Sequence, residues 1–320
     1  MPRTTPAPRT HVQTTGTVLM IRPAAFRSNP QTAGSNAFQR TPGLVPPSLE
    51  QAAAESEFDG LVAALRDAGV EVIVEADLLE PATPDAVFPN NWVSFHDNGI
   101  VVLYPMMAPN RRRERRVDVV ERVAREHGFR INEVVDLSFH EAEGRFLEST
   151  GSMVLDRVNR IAYACLSPRT DLDVLAEFAQ RMDYEPLAFA ASDGAGVPVY
   201  HTNVMMSVGE RFAVICAEAI DDPVQRTAVT GKLVATGHEV VEIDREQMAS
   251  FAGNMLALSP PGRRQLLAMS ARARASLRPE QLEALDRHAD IVAAPIDGIE
   301  SSAGGSVRCM LAELHLPRAS

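Results

Sequence analysis

The run Ser301-Ser302-Ala303-Gly304-Gly305-Ser306-Val307-Arg308-Cys309-Met310-Leu311 brings small, flexible residues up to a cysteine. Glycines let the backbone take positive φ and let a ligand come close. Successive amide N–H groups in such a loop form a concave site that favours a thiolate. Arg308 adds a neighbouring positive charge, so Cys309 is the candidate nucleophile. Three other stretches carry polar groups that packing does not ask for. Asp85-Ala86-Val87-Phe88-Pro89-Asn90-Asn91-Trp92 sets an acid, two amides and the chain's one tryptophan ahead of a strand pattern. Phe146-Leu147-Glu148-Ser149-Thr150-Gly151-Ser152 does the same with Glu148, and Val199-Tyr200-His201-Thr202-Asn203-Val204 with His201. A cysteine, a histidine and a carboxylate in one place make a nucleophile, a proton carrier and its electrostatic partner. Taken singly, His201 reads as a structural histidine. Its equivalence in position to Glu148 and Asp85 is what gives it a function.

These residues act together only if the chain carries them to one centre. Its elements suggest how. Val93–Phe95 and Ile100–Tyr104 read as strands joined at Asp97-Asn98-Gly99; a helix through Arg113–His127 and a strand at Ile131–Val135 follow. Met153–Leu155, Ile161–Cys165, a helix from Asp171 and a strand near Pro186–Phe189 form a second copy. Val204–Val208, Phe212–Ala217, a helix from Asp222-Pro223 and a strand at Glu239–Ile243 form a third. The unit is strand, strand, helix, strand, with a period of roughly 50 residues. The opening and the end of the chain supply two more: Thr17–Ile21, a helix capped by Ser48 with Gln51 in the capping-box position, and Val70–Glu75; then Asn254–Leu258, a helix near Pro279–Ala289 and strands to Leu314. Five such units in a closed ring would be one domain with one central site. In each, the polar group enters at the start of the first strand. Between them, Arg22 to Pro47 has little periodicity. Its Asn29, Asn36, Phe38 and Gln39 either line a site or belong to a surface loop.

Composition sets the boundaries. At 320 residues, 45% hydrophobic and 23% charged, the chain can bury a large core. A net charge of −11 argues against nucleic acid or an anionic membrane as partner. Cys165, Cys216 and Cys309 form no CxxC and no metal-ligand spacing, which points to a reducing, cytoplasmic compartment and no metal. No apolar run is long enough to cross a membrane. Residues 1–15, rich in Thr, Pro and Arg, are expected to be a disordered tail, with residues 16–320 as one domain. Five arginines among Arg111–Arg116 read as a solvated helix face.

In this order the pieces resemble the guanidino-group-modifying superfamily of arginine deiminases, dimethylarginine dimethylaminohydrolases and amidinotransferases, and most of all its amidinotransferase-like, citrulline utilisation hydrolase branch. The matching pieces are Met20-Ile21-Arg22-Pro23 with Asn36-Ala37-Phe38-Gln39, Val87-Phe88-Pro89-Asn90-Asn91-Trp92, Phe146-Leu147-Glu148, Leu166-Ser167-Pro168-Arg169-Thr170, His201-Thr202-Asn203 and Gly304-Gly305-Ser306-Val307-Arg308-Cys309-Met310. The resemblance implies the five-fold pseudosymmetric α/β propeller (pentein) of ββαβ units and a single small amino-acid substrate, with no metal and no organic cofactor. It implies Cys309 as nucleophile, His201 as acid/base, Glu148 as catalytic acid residue, Asp85 at the substrate head group and Arg169 at its carboxylate. The chain departs from the pattern at Asn90, Asn91 and Asn203, where relatives often carry acids, and at Ser149-Thr150-Gly151-Ser152, where Gly-Gly-Asp is usual.

Amides suit a neutral ureido group. A C–N hydrolase preferring citrulline over arginine is therefore expected, acting through a covalent cysteine intermediate. Arginine or dimethylarginine hydrolysis stays open, because Asp85 and Glu148 remain. So does an amidinotransferase with an amine acceptor. A non-catalytic binding ring would show a broken Cys, His or acid position, and none is broken. A homo-oligomer is equally open.

Overall fold

The computed structural model describes residues 11–39 and 45–319; the first ten residues of the expected tail and residues 40–44 of the expected loop lie outside that description. Among the described residues the fold is mixed α/β, built from five three-stranded sheets. β1 (Thr17–Arg22) pairs in parallel with β2 (Glu71–Ala76) across the helix Pro47–Asp67. A parallel pair needs a crossover of this kind, and the helix supplies it. Phe58, Leu61, Val62 and Leu65 are the buried face that their spacing predicts. The helix starts earlier than expected, with Pro46 as cap, so Ser48 is inside it. Gln51 tethers the loop instead, accepting from the Phe26 N–H at 2.6 Å and donating to the Pro23 carbonyl at 2.9 Å.

The next three sheets follow one plan: an antiparallel hairpin, then a helix, then a strand parallel to the hairpin's second strand. They are β3 (Val93–Phe95), β4 (Ile100–Leu103) and β5 (Glu133–Asp136); β6 (Met153–Asp156), β7 (Ile161–Cys165) and β8 (Glu185–Phe189); and β9 (Met206–Val208), β10 (Phe212–Ile215) and β11 (Glu239–Glu242). β12 (Leu256–Leu258), β13 (Leu266–Ser270) and β14 (Asp290–Ala294) repeat it. Every residue of the middle strands β7, β10 and β13 is buried, which is why they read as unbroken apolar runs. The fifth sheet is assembled from both ends of the chain. β15 (Ala312–Glu313) runs antiparallel to β1, matching Glu313 to Val18 and Ala312 to Leu19. The opening segment is thus a unit whose first strand comes from the other end of the sequence.

In all five sheets a tight turn precedes that first strand. The 3₁₀ turn Pro89–Asn91 leads towards β3, Ser149–Ser152 to β6, Thr202–Met205 to β9, the turn at Phe251–Gly253 towards β12, and Val307–Met310 towards β15. Glu148 and His201 are the capping residues of their turns.

Residues 11–15 are not a tail. Gln13 is buried; it donates to the carbonyls of Leu155 (2.9 Å) and Val208 (3.2 Å) and accepts from the Arg157 N–H (2.7 Å). Thr14 bonds to Ser259 and Glu210. Backbone groups left open at strand ends need partners, and this polar segment provides them. Among the described residues, no helix is long and apolar enough to cross a membrane.

Candidate active site

Cys309 sits on the turn Val307–Met310, after a chain reversal at Gly304 with φ 67°. A Cβ at Gly304 would stand 2.6 Å from the Asn36 amide nitrogen, so glycine is required twice over. The turn is pinned by Ser306 donating to buried Glu300 at 2.6 Å and by the Arg308 N–H donating to Asn254 Oδ1 at 3.0 Å. The Arg308 guanidinium does not face the thiol as expected. It bonds the Leu311 carbonyl at 2.8 Å and Glu313 at 2.6 Å, and that carboxylate neutralises it.

Cys309 and His201 line one narrow pocket with Asp85, Arg169, Asn91, Asn36 and Arg111. Glu148 stands one layer back, fully buried, its Oε2 2.9 Å from His201 Nε2. Arg169 Nη1 lies 3.5 Å from the same oxygen and Arg111 Nη1 3.6 Å, while Oε1 accepts the Met107 N–H at 3.1 Å. Burial opposes ionisation of Glu148, but Arg169, the His201 hydrogen bond and Arg111 outweigh it and hold its pKa well below the usual carboxylate value. Burial also lowers His201, to about 4, against the pull of Glu148. The resting imidazole is therefore neutral. With Nε2–H donating to an ionised Glu148, Nδ1 keeps the free lone pair.

The arginine run is the clearest correction. Arg111 is 2% exposed, not solvated. It forks onto Glu114 with two bonds of 3.0 Å, donates to Asn91 at 3.1 Å and lies 3.6 Å from Asp85. Arg169 is held by the loop that sequence left undecided, donating to Ser35 Oγ at 2.8 Å and the Thr32 carbonyl at 3.3 Å. That loop walls the site: Asn29 donates to Asp85 at 2.7 Å, and Asn36 to the carbonyls of Ala303 (3.1 Å) and Gly304 (3.2 Å). Of the other amides, Asn90 bonds Thr150 (3.3 Å) rather than reaching the pocket, and Asn203 turns to the Cys309 sulfur (3.5 Å). Asn254, which sequence reasoning passed over, also donates to that sulfur, at 3.3 Å. Its position ahead of β12, matching His201 ahead of β9, was the available signal. Among the described residues no group of three or more His, Cys, Asp or Glu is gathered as a metal site.

The family model for N,N dimethylarginine dimethylhydrolase, eukaryotic, matches residues 22–316. The chain belongs to this family. A comparison with curated proteins finds no match. Among solved structures, the chain is similar to apo ArgZ, an arginine dihydrolase from cyanobacteria, with 17% identity and a TM-score of 0.73, over 95% of this chain and 42% of that one. It thus spans about two fifths of full-length ArgZ. It is also similar to the substrate-bound N-terminal domain of ArgZ (16% identity, TM-score 0.70, 93% and 97% covered). A third likeness is to a dimethylarginine dimethylaminohydrolase carrying an S-methyl-L-thiocitrulline adduct (14% identity, TM-score 0.60, 93% and 98% covered).

In this member of the dimethylarginine dimethylhydrolase family, Ser149-Thr150-Gly151-Ser152 follows Glu148, and two of these residues shape the site. Ser149 takes φ 46°, a conformation that favours glycine and costs a serine about 1 kcal/mol or more; its hydroxyl bonds the Val93 carbonyl at 3.1 Å. Gly151 is needed for space. A Cβ there would stand 2.5 Å from Asn91 Nδ2 and 2.8 Å from the His201 ring. Gly151→Ala is expected to push the imidazole aside and cut kcat by about 100-fold with KM little changed, since ångström misplacements cost that much. Steady-state kinetics read the split; an unchanged kcat would show that the ring has room to move.

Proposed function

We propose that the protein hydrolyses the guanidino C–N bond of an arginine-like amino acid through a covalent intermediate on Cys309. The carrying observation is a surplus of buried carboxyl groups over buried guanidinium groups. Three buried carboxyl groups, Asp85, Glu114 and Glu148, meet two guanidinium groups, Arg111 and Arg169, and Asp85 Oδ1 has no hydrogen-bond partner. Burial pushes Asp85 up, and Glu114 up to about 8, against the pull of Arg111. A substrate guanidinium is the missing cation. The name of the similar cyanobacterial protein, an arginine dihydrolase, supports the same head group. The ureido reading rested on Asn90, Asn91 and Asn203, and only Asn91 reaches the pocket.

Arg169 takes the substrate carboxylate in place of the neutral oxygens of Ser35 and Thr32. Neutral His201 accepts the thiol proton through Nδ1 as the sulfur attacks the central carbon. Glu148 holds the imidazolium that results, which then protonates the leaving nitrogen. Water, losing a proton to His201, attacks the amidino-cysteine, and the sulfur leaves as thiolate. Support for a ring of five units around this pocket comes from the shared plan of the five sheets and from a residue of each pre-strand turn lying at or beside Cys309 and His201. Three free, buried cysteines suit a reducing compartment such as the cytoplasm.

Arginine, dimethylarginine and citrulline decide the substrate, assayed for ammonia, dimethylamine and ornithine. A guanidino substrate is expected to lead citrulline in kcat/KM by at least about tenfold, one unmatched buried charge being worth that or more. Below about pH 8 Glu114 holds a proton that a bound guanidinium displaces, so affinity for the cation should rise with pH up to that value. Citrulline should show no such rise. Preference for citrulline, or a flat profile for arginine, would return the ureido reading. Products that change when glycine or ornithine is added would mark a transferase.

A further inference from the structure

Among the described residues, the side-chain partners of the Cys309 sulfur are two carboxamides. Asn254 Nδ2 lies 3.3 Å and Asn203 Nδ2 3.5 Å from Sγ, while the Oδ1 atom of each lies at 3.8 Å. Both asparagines are fully buried. The neighbouring cation, Arg308, points away to Glu313. The orientation of the Asn254 amide is fixed by backbone on two sides. Its Oδ1 accepts the Arg308 N–H at 3.0 Å, and its Nδ2 donates to the Asn203 carbonyl at 2.9 Å. Turning the amide over would set N–H against N–H and C=O against C=O. One Nδ2 hydrogen is therefore committed to Asn203 and the other is left for the sulfur.

A donor gains most when its acceptor is ionised, and more again in a buried site. A thiol or thioether sulfur accepts only weakly. The amide pair therefore discriminates between the charge states of Cys309 rather than merely touching it. We propose that Asn254, assisted by Asn203, is a catalytic residue of this chain. Its N–H carries the negative charge that the sulfur gains as its proton leaves for His201 and regains when the covalent intermediate breaks down. No bond forms to Asn254; the sulfur's proton leaves through His201 with the departing nitrogen, and a proton of the attacking water returns to the sulfur through His201. The proposal rests on Cys309 being the nucleophile of the reaction described above.

Asn254→Asp in the full chain is the test. The carboxylate keeps the acceptor for the Arg308 N–H and the side-chain shape, and sets an oxygen where the donor was. Alkylation of Cys309 by iodoacetamide, followed by peptide mass spectrometry between about pH 6 and 10, needs no substrate. Near pH 7 the N254D rate is expected to fall at least about tenfold and to recover as pH rises. Its kcat should drop about 100-fold with KM unchanged, the loss usual for one donor to a developing charge. Asn203→Asp should move alkylation the same way and decides the matter if N254D does not fold. Parental alkylation rates in both variants across the pH range would overturn the proposal. A loss that high pH fails to restore would overturn it too, because it would mark a packing role. If the parent turned over no guanidino or ureido compound, the alkylation profiles would still read the amide pair.

Discussion

Serine in place of Cys309 is expected to lower turnover by about 10⁴-fold or more while leaving the fold and its melting temperature intact. The substitution exchanges one buried atom in a turn whose anchors, Ser306 to Glu300 and Arg308 to Asn254, lie outside the side chain. A serine hydroxyl keeps its proton at neutral pH, and the carboxamides that face the sulfur cannot make up the difference. The other two thiols do not compete. Cys165 and Cys216 are buried in the core, and burial pushes each up to about 12. Iodoacetamide should therefore label Cys309 first in the folded protein. Faster labelling of Cys165 or Cys216, or a C309S protein with more than a trace of activity, would remove the nucleophile from the mechanism.

Glu148→Gln is expected to cost both activity and stability. The amide cannot stabilise the imidazolium of His201, and it presents either orientation to Nε2, so the tautomer with a free Nδ1 is no longer enforced. A loss of about 10³- to 10⁴-fold in kcat follows, as where a buried carboxylate orients a catalytic histidine. Arg169 and Arg111 would also lose a shared partner in a buried site, which costs about 3 kcal/mol or more. The pH dependence carries a sign. Glu148 and His201 both have folded pKa values below their unfolded ones. Each therefore supplies stability that is present above the unfolded value and fades on acidification. The His201 share is lost from about pH 6.5 down to about 4, and the Glu148 share only below about pH 4. Denaturant titrations at several pH values should show E148Q losing the lower limb. An E148Q enzyme within tenfold of the parent would mean that His201 needs no carboxylate.

Much of this arrangement could be read before any coordinates. Cys309 stood out by its glycine-rich approach, and His201 and Glu148 by standing at the same point of a repeating unit, which was visible because buried middle strands such as Ile161–Cys165 leave unbroken apolar runs. Arg111 was hidden by its neighbours. A run of arginines looks the same whichever member turns inward, and only the backbone of the Arg111–Glu114 turn decides that. Asn90 and Asn91 are the same type at adjacent positions, yet one bonds Thr150 and the other meets Arg111. Sequence carries no sign of that split. Gln13 and Thr14 looked like a tail because a segment that satisfies the ends of other strands has no periodicity of its own. The pairing of β15 with β1 has the same cause: two residues are too few to form a pattern.

That pairing ties the nucleophile's end of the chain to its beginning. The turn bearing Cys309 is held next to a two-residue strand whose place depends on β1, at the far end of the chain. His201 and Glu148 precede sheets whose strands all come from neighbouring sequence. Loss of β1 should thus deprive the Cys309 segment of its sheet partner while leaving the sheets of Glu148 and His201 whole.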